Sequence, residues 1–160
     1  MRSFRPAVLA VLLLLVWSRP ARADATVFLG LNTTPDSRGV VGGAIGIGLL
    51  IVGFEFEYSS TGEDTTTGAP ALKAGNGNVL LQTPVPIFGF QPYFTLGAGG
   101  FHERIGDSAE TGVATNIGGG AKISVAGPLK LRVDYRAFSL GDSARYTPSH
   151  RFYAGLNLKF

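Results

Sequence analysis

The stretch His150–Phe160, H-R-F-Y-A-G-L-N-L-K-F, decides how the rest of the chain is read. Phe152, Ala154, Leu156, Leu158 and Phe160 share one parity; Arg151, Tyr153, Gly155, Asn157 and Lys159 share the other. Successive side chains of a strand point to opposite faces, so the segment is a strand with one apolar and one polar side. A soluble protein could bury that apolar stripe in a core. The alternative turns it toward acyl chains and encloses the polar side, and the front of the chain favours this second arrangement.

Residues 1–23 read as a secretory signal. Arg2 and Arg5 form a positive leader, Ala7–Trp17 an apolar core, and Ala21-Arg22-Ala23 a small-x-small cleavage site. The apolar run is too short for a spanning helix, which needs about 20 residues. Cleavage leaves 24–160 as one domain with ten basic and eleven acidic residues, a balance that does not suggest nucleic acid as a partner. The chain has no cysteine, so neither a disulfide framework nor a lipidated N-terminus is expected.

Period-two alternation recurs through the mature segment and predicts eight strands. They fall near 25–33, 43–50, 52–60, 71–83, 93–101, 112–125, 129–140 and 150–160. The seventh is the cleanest, with Leu131, Val133 and Tyr135 alternating with Lys130, Arg132, Asp134 and Arg136. Four connections are polar: Thr34–Val41, Thr61–Pro70, His102–Thr111 and Gly141–Ser149. The three between them are shorter or less polar, although no turn residue separates strands two and three, and Pro84–Pro92 is long for a turn. In hydrocarbon every backbone N–H and C=O needs a protein partner, so the sheet must close into a barrel. The expected fold is all-β: a single antiparallel eight-stranded transmembrane barrel.

The segment Gly118–Phe138, G-G-G-A-K-I-S-V-A-G-P-L-K-L-R-V-D-Y-R-A-F, and the terminal strand resemble the last hairpins of the small outer-membrane barrels of the OmpA/OmpX type. The resemblance implies an outer-membrane location in a Gram-negative-type envelope, contact with outer-membrane lipid and lipopolysaccharide, and a monomer. It also implies that Phe152, Tyr153, Leu156, Leu158 and Phe160 form the C-terminal signal that the barrel-assembly machinery reads. No peptidoglycan-binding domain is expected, because the sequence ends at Phe160.

With the apolar parity outward, Glu55, Glu57, Lys122, Lys130, Arg132, Asp134, Arg136, Arg151 and Lys159 face the lumen. Eight strands enclose a space that side chains just fill. Unpaired buried charges are costly, so these groups are expected to form a hydrogen-bonded ion network rather than line a pore. Phe54, Tyr58, Tyr93, Phe94, Tyr135, Phe138, Phe152 and Phe160 suit interfacial girdles. The loops are acidic, with Asp36, Glu63, Asp64, Glu103, Asp107, Glu110 and Asp142 against Arg38, Arg104 and Arg145. Ordinary solvation explains such residues, and the spacing of a dedicated calcium loop is missing.

Catalysis is not expected. Lipid A deacylases among these barrels place His and Ser two apart on one strand; here His102 and His150 have no serine at that spacing, and both read as loop or rim residues. No cofactor or metal site is expected. A narrow channel or transporter for small, even hydrophobic, solutes is the alternative, with Phe28, Leu80 and Phe101 as the apolar candidates on the lumen parity. The parity reading also expects a charge at Leu156 to be harmful and Asn157→Lys to be tolerated.

Overall fold

The computed structural model describes residues 22–160, so nearly all of the proposed signal lies outside the described residues. Eight strands follow one another: β1 (Arg22–Asn32), β2 (Arg38–Leu49), β3 (Val52–Thr61), β4 (Ala71–Gln82), β5 (Phe90–Ile105), β6 (Ser108–Ala126), β7 (Leu129–Leu140) and β8 (Ser149–Lys159). Each pairs antiparallel with its neighbours, and β1 pairs with β8 to close the barrel. Closure leaves no strand edge unpaired, which is the condition that a hydrocarbon surround imposes.

The two faces separate as the alternation requires. Val27, Leu29, Ile45, Phe56, Leu96, Ile117 and Leu156 are exposed on the outer wall, while Glu57, Arg132, Arg136 and Asn157 are buried inside. A water-soluble barrel has the opposite arrangement, because apolar burial is what drives its folding. Here the apolar surface needs a non-aqueous solvent.

The connections correct several sequence expectations. Thr34–Val41 shrinks because β2 already begins at Arg38. His102–Thr111 is not a loop. β5 and β6 continue as a hairpin to a two-residue tip at Gly106–Asp107, where Gly106 takes the left-handed conformation (φ 55°). Glycine adopts that conformation without strain, and a strand above the membrane tolerates polar residues on both faces. At the other end β2 and β3 meet across Leu50–Ile51 alone, with Leu50 left-handed (φ 53°). A residue with a Cβ pays roughly 1–2 kcal/mol there. The position would favour a glycine, and because leucine occupies it the junction carries no turn signal in the sequence. Thr83–Gly89 folds back on itself, Ile87 bridging Phe90 around Phe88 and Gly89.

Two burials also revise the expectations. Arg38 and Glu103, read as solvated loop residues, are buried at the loop end of the lumen. Arg38 donates to the carbonyls of Gly62 (2.9 Å) and Pro70, and Glu103 accepts the Arg145 backbone N–H at 2.9 Å. Asn157 is completely buried; its Nδ2 donates to Thr26 Oγ1 at 2.9 Å, and Lys130 is its register partner on β7. A lysine at 157 would oppose Lys130 in an enclosed space. Both Leu156→Arg and Asn157→Lys should therefore destabilise the barrel. The first should cost about 2–4 kcal/mol at the membrane midplane, read as a shift in the urea midpoint of the protein refolded in lipid vesicles.

Candidate functional site: the barrel lumen

Arg132 and Arg136 stand four residues apart on β7, with Asp134 between them on the same face, so all three turn inward, and neither arginine has any exposed surface. Glu55 and Glu57 stand two apart on β3, on the opposite wall. The four side chains meet across the barrel. Arg132 grips Glu55 with two nitrogens, one of them 3.1 Å from Oε1, and reaches Asp134 Oδ2 at 3.1 Å. Arg136 contacts Glu55 (3.1 Å), Glu57 (2.9 Å) and Asp134 (3.1 Å). Its Nη1 touches Glu57 as an ion pair, although off the hydrogen-bonding direction. Arg151 of β8 adds a bond from Nη1 to Glu57 Oε1 at 3.1 Å. Three guanidinium groups thus balance three carboxylates. The forked geometry of arginine allows Arg132 and Arg136 each to serve several acceptors at once.

Two tyrosines complete this layer, and sequence reasoning misplaced the first. Tyr93, expected in the girdle, is buried; its hydroxyl donates to Asp134 and accepts from Arg132 Nε at 2.7 Å. Tyr153, expected in the assembly signal, donates to Asp134 Oδ2 at 2.9 Å and stacks on Phe28 with ring centroids 4.1 Å apart. Phe138, another girdle expectation, lies inside with Arg151 over its ring at 4.1 Å. All three sit on the lumen parity. For Tyr93 and Phe138 that periodicity is the signal that should have outweighed their aromatic character. Inward glycines supply the room: a Cβ on Gly120 would lie 2.6 Å from the Tyr93 hydroxyl, and one on Gly42 would lie 2.3 Å from the Phe28 ring. The abundant strand glycines of the sequence therefore mark close approach.

The remaining expected lumen residues form a separate layer toward the chain termini. Lys122 pairs with Asp24 at 2.6 Å, and Lys130 donates to Gln91 Oε1 at 3.0 Å. Lys159 is half-buried at the mouth and has no ion pair within 4 Å among the described residues. Asp24, Glu55, Gln91, Lys122 and Lys130 border a cavity of about 20 Å³, room for about one water. At the loop end, Phe101, Ala74, Ala114, Phe138 and Leu140 pack into an apolar cluster. Phe28 and Leu80 are also buried inside, so these apolar candidates fill space.

The histidines lie in strands and face outward. His102 Nδ1 is 2.9 Å from Thr111 Oγ1, and His150 Nδ1 is 2.9 Å from the Tyr135 hydroxyl. Neither imidazole has a carboxylate partner among the described residues; each Nδ1 meets a hydroxyl instead. Among the described residues no group of three metal-ligating side chains converges.

The revised placement of the tyrosines can be tested. Tyr93→Phe strips a buried donor from Asp134 and an acceptor from Arg132, and should cost about 1–3 kcal/mol. Tyr135→Phe, on the outer wall, should cost less than about 1 kcal/mol. Urea titrations of the two variants in vesicles, followed by circular dichroism, check the contrast.

No family model matches the chain, and no curated protein sequence does. Solved structures do. The N-terminal β-barrel domain of Pseudomonas aeruginosa OprF superposes with a TM-score of 0.68 at 16% identity, over 88% of this chain and 100% of that one. Neisserial surface protein A (NspA) gives 0.60 at 17% identity, over 88% and 96%. The outer membrane enzyme PagL gives 0.51 at 14% identity, over 86% and 98%. Closed eight-stranded topology, outward apolar parity and these superpositions together give the chain the fold of the small outer-membrane β-barrels.

Proposed function

We propose that the protein is a non-enzymatic barrel of the outer membrane, with a structural or surface-interaction role and a sealed lumen. The observation that carries this reading is the Glu55–Glu57–Asp134–Arg132–Arg136–Arg151 network. It spans the barrel with balanced charge, apolar packing above it and room for about one water below it. A channel needs a continuous polar path with mobile counter-ions. Here each carboxylate is held by at least two cationic or hydroxyl donors, so moving one would leave buried charges unpaired.

In this reading the termini and short turns face the periplasm, and the hairpins above β1–β2, β3–β4, β5–β6 and β7–β8 face outward. That is the usual disposition of such barrels. The protein works as a monomer in outer-membrane lipid, and its exposed outer segments meet whatever partner it has. β8 carries the assembly signal through its outward residues Phe152, Leu156, Leu158 and Phe160, all four exposed along the wall. Tyr153 contributes from the inside.

Fusion of the purified, folded protein into planar bilayers should give no reproducible current steps; steps of one defined size would support the channel reading instead. Overexpression should leave the lipid A mass spectrum unchanged, whereas a new lipid species lost on His102→Ala or His150→Ala would make it an enzyme. Phe160→Ala should lower the amount of folded barrel in the outer-membrane fraction severalfold. Wild-type levels would remove Phe160 from the assembly signal.

A further inference from the structure

Strand parity sorts the charged side chains unevenly. Among the described strand residues, the formally charged side chains on outward positions are Lys73 on β4 and Arg104 on β5, and no outward position holds an aspartate or glutamate. These two cations do not lie at random around the wall. Lys73 is the register partner of His102, and Arg104 is the next outward residue beyond His102 on the same strand. Diagonal neighbours of this kind on an antiparallel pair sit about 7–8 Å apart, close enough for two long side chains to share one anion. All three residues are exposed.

Neither cation has a carboxylate within 4 Å among the described residues. The acids of the neighbouring segments are turned elsewhere or lie higher. Glu103 faces inward onto the Arg145 N–H, Glu110 is its register partner on the same inward parity, Glu63 accepts the Gly106 N–H at 3.0 Å, and Asp107 stands at the hairpin tip. Like charges placed side by side without a counter-charge are unfavourable. An external anion would relieve that.

The height of the pair fits a lipid phosphate. Ser60, Lys73, His102 and Thr111 form one polar row across β3–β6. The row directly below reads Tyr58, Gly75, Gly100, Val113, and the next reads Phe56, Gly77, Ala98, Thr115. The polar row therefore caps the apolar band. Beneath it runs a trough two strands wide, floored by Gly75, Gly77, Ala98 and Gly100 and walled by the rings of Phe56 and Tyr58. Packing inside the protein does not require these glycines. A Cβ on Gly75 would meet nothing nearer than 3.8 Å, one on Gly77 nothing nearer than 3.9 Å, and one on Gly100 nothing nearer than 3.7 Å. The floor is open on the outside.

We infer that the outer wall of β4 and β5 binds a lipid with a phosphorylated headgroup, its phosphate held by Lys73 and Arg104 beside His102 and one acyl chain lying in the Gly75–Gly100 trough. The inference rests on the outer-membrane reading above and specifies the lipid contact within it. Phosphate offers several charge-assisted acceptors to converging cations. The chain below gains contact with the aromatic wall.

Native mass spectrometry of the folded full-length protein in neutral detergent tests this, with bis-phosphorylated lipid A as probe. The wild type should retain the lipid, and K73Q/R104Q should weaken retention by about fivefold per cation removed. Loop variant R145Q should bind as the wild type does. Dephosphorylated lipid A should bind weakly and equally to all three, and G100L should weaken retention of the phosphorylated lipid by filling the trough. Equal retention of phosphorylated lipid by wild type and K73Q/R104Q, both with the heat-modifiable gel mobility of a folded barrel, would overturn the site. Displacement by an equal concentration of inorganic phosphate would also overturn it, because the chain would then contribute nothing. Membrane fractionation reports the location separately, so a misplaced protein and a missing lipid site give different results.

Discussion

The strap of ion pairs between β3 and β7 is the interaction on which the rest of this barrel depends. Glu55 and Glu57 on one wall meet Arg132 and Arg136 on the wall opposite, so the contact crosses the full lumen rather than running along one hairpin. An eight-stranded barrel has a lumen that its own side chains must fill. Filling it with charges costs a large desolvation, returned only if nearly every donor and acceptor is met. Here every carboxylate of the central layer meets at least two donors, while the neighbouring amides of Asn76 and Asn78 keep unpartnered atoms. Tyr93 and Tyr153 supply hydroxyls to Asp134 beside the two arginines.

The same constraint dictates where small residues go. Arg136, Tyr93 and Phe28 are large for so narrow a space, and the facing positions are Gly118, Gly120, Gly42 and Gly155, where a Cβ would clash with them or with backbone. Glycines on the outer wall of β4 and β5 have a different cause, since nothing crowds them. Two populations of strand glycine thus coexist in one sheet. One makes room for the strap within; the other leaves a recess toward the lipid. Charge is partitioned as sharply, with carboxylates excluded from the outward strand positions.

Most of this architecture was legible in the sequence because period-two alternation carries it. The eight strands, the inward placement of Arg132 and Asp134, and the outward Leu131 and Leu156 follow from parity alone, and solved barrels below 20% identity share the closed topology. What stayed hidden lacked a local signal. The Leu50–Ile51 turn contains no turn residue, and the β5–β6 hairpin looked like a loop because its residues are polar on both faces. Tyr93 and Phe138 were misassigned because aromatic identity suggested a girdle while parity placed them inside. A lumen network containing Glu55, Glu57, Arg132, Asp134 and Arg136 was expected, but the direct partnership of β3 with β7 within it was not. It links residues about eighty positions apart, and only closure brings those walls face to face.

A double-mutant cycle on Glu55 and Arg132 tests the strap most directly, with Glu55→Gln, Arg132→Met and the double variant unfolded by urea in the same lipid vesicles. If the pair braces the lumen, each single variant loses about 3–5 kcal/mol by stranding a buried charge. The double variant should then be markedly more stable than the sum of the two losses implies, with a coupling of at least about 1.5 kcal/mol. Additive losses, with coupling below about 0.5 kcal/mol, would mean that Glu55 and Arg132 do not act on each other across the barrel, and the account of a cross-braced, sealed lumen would be contradicted.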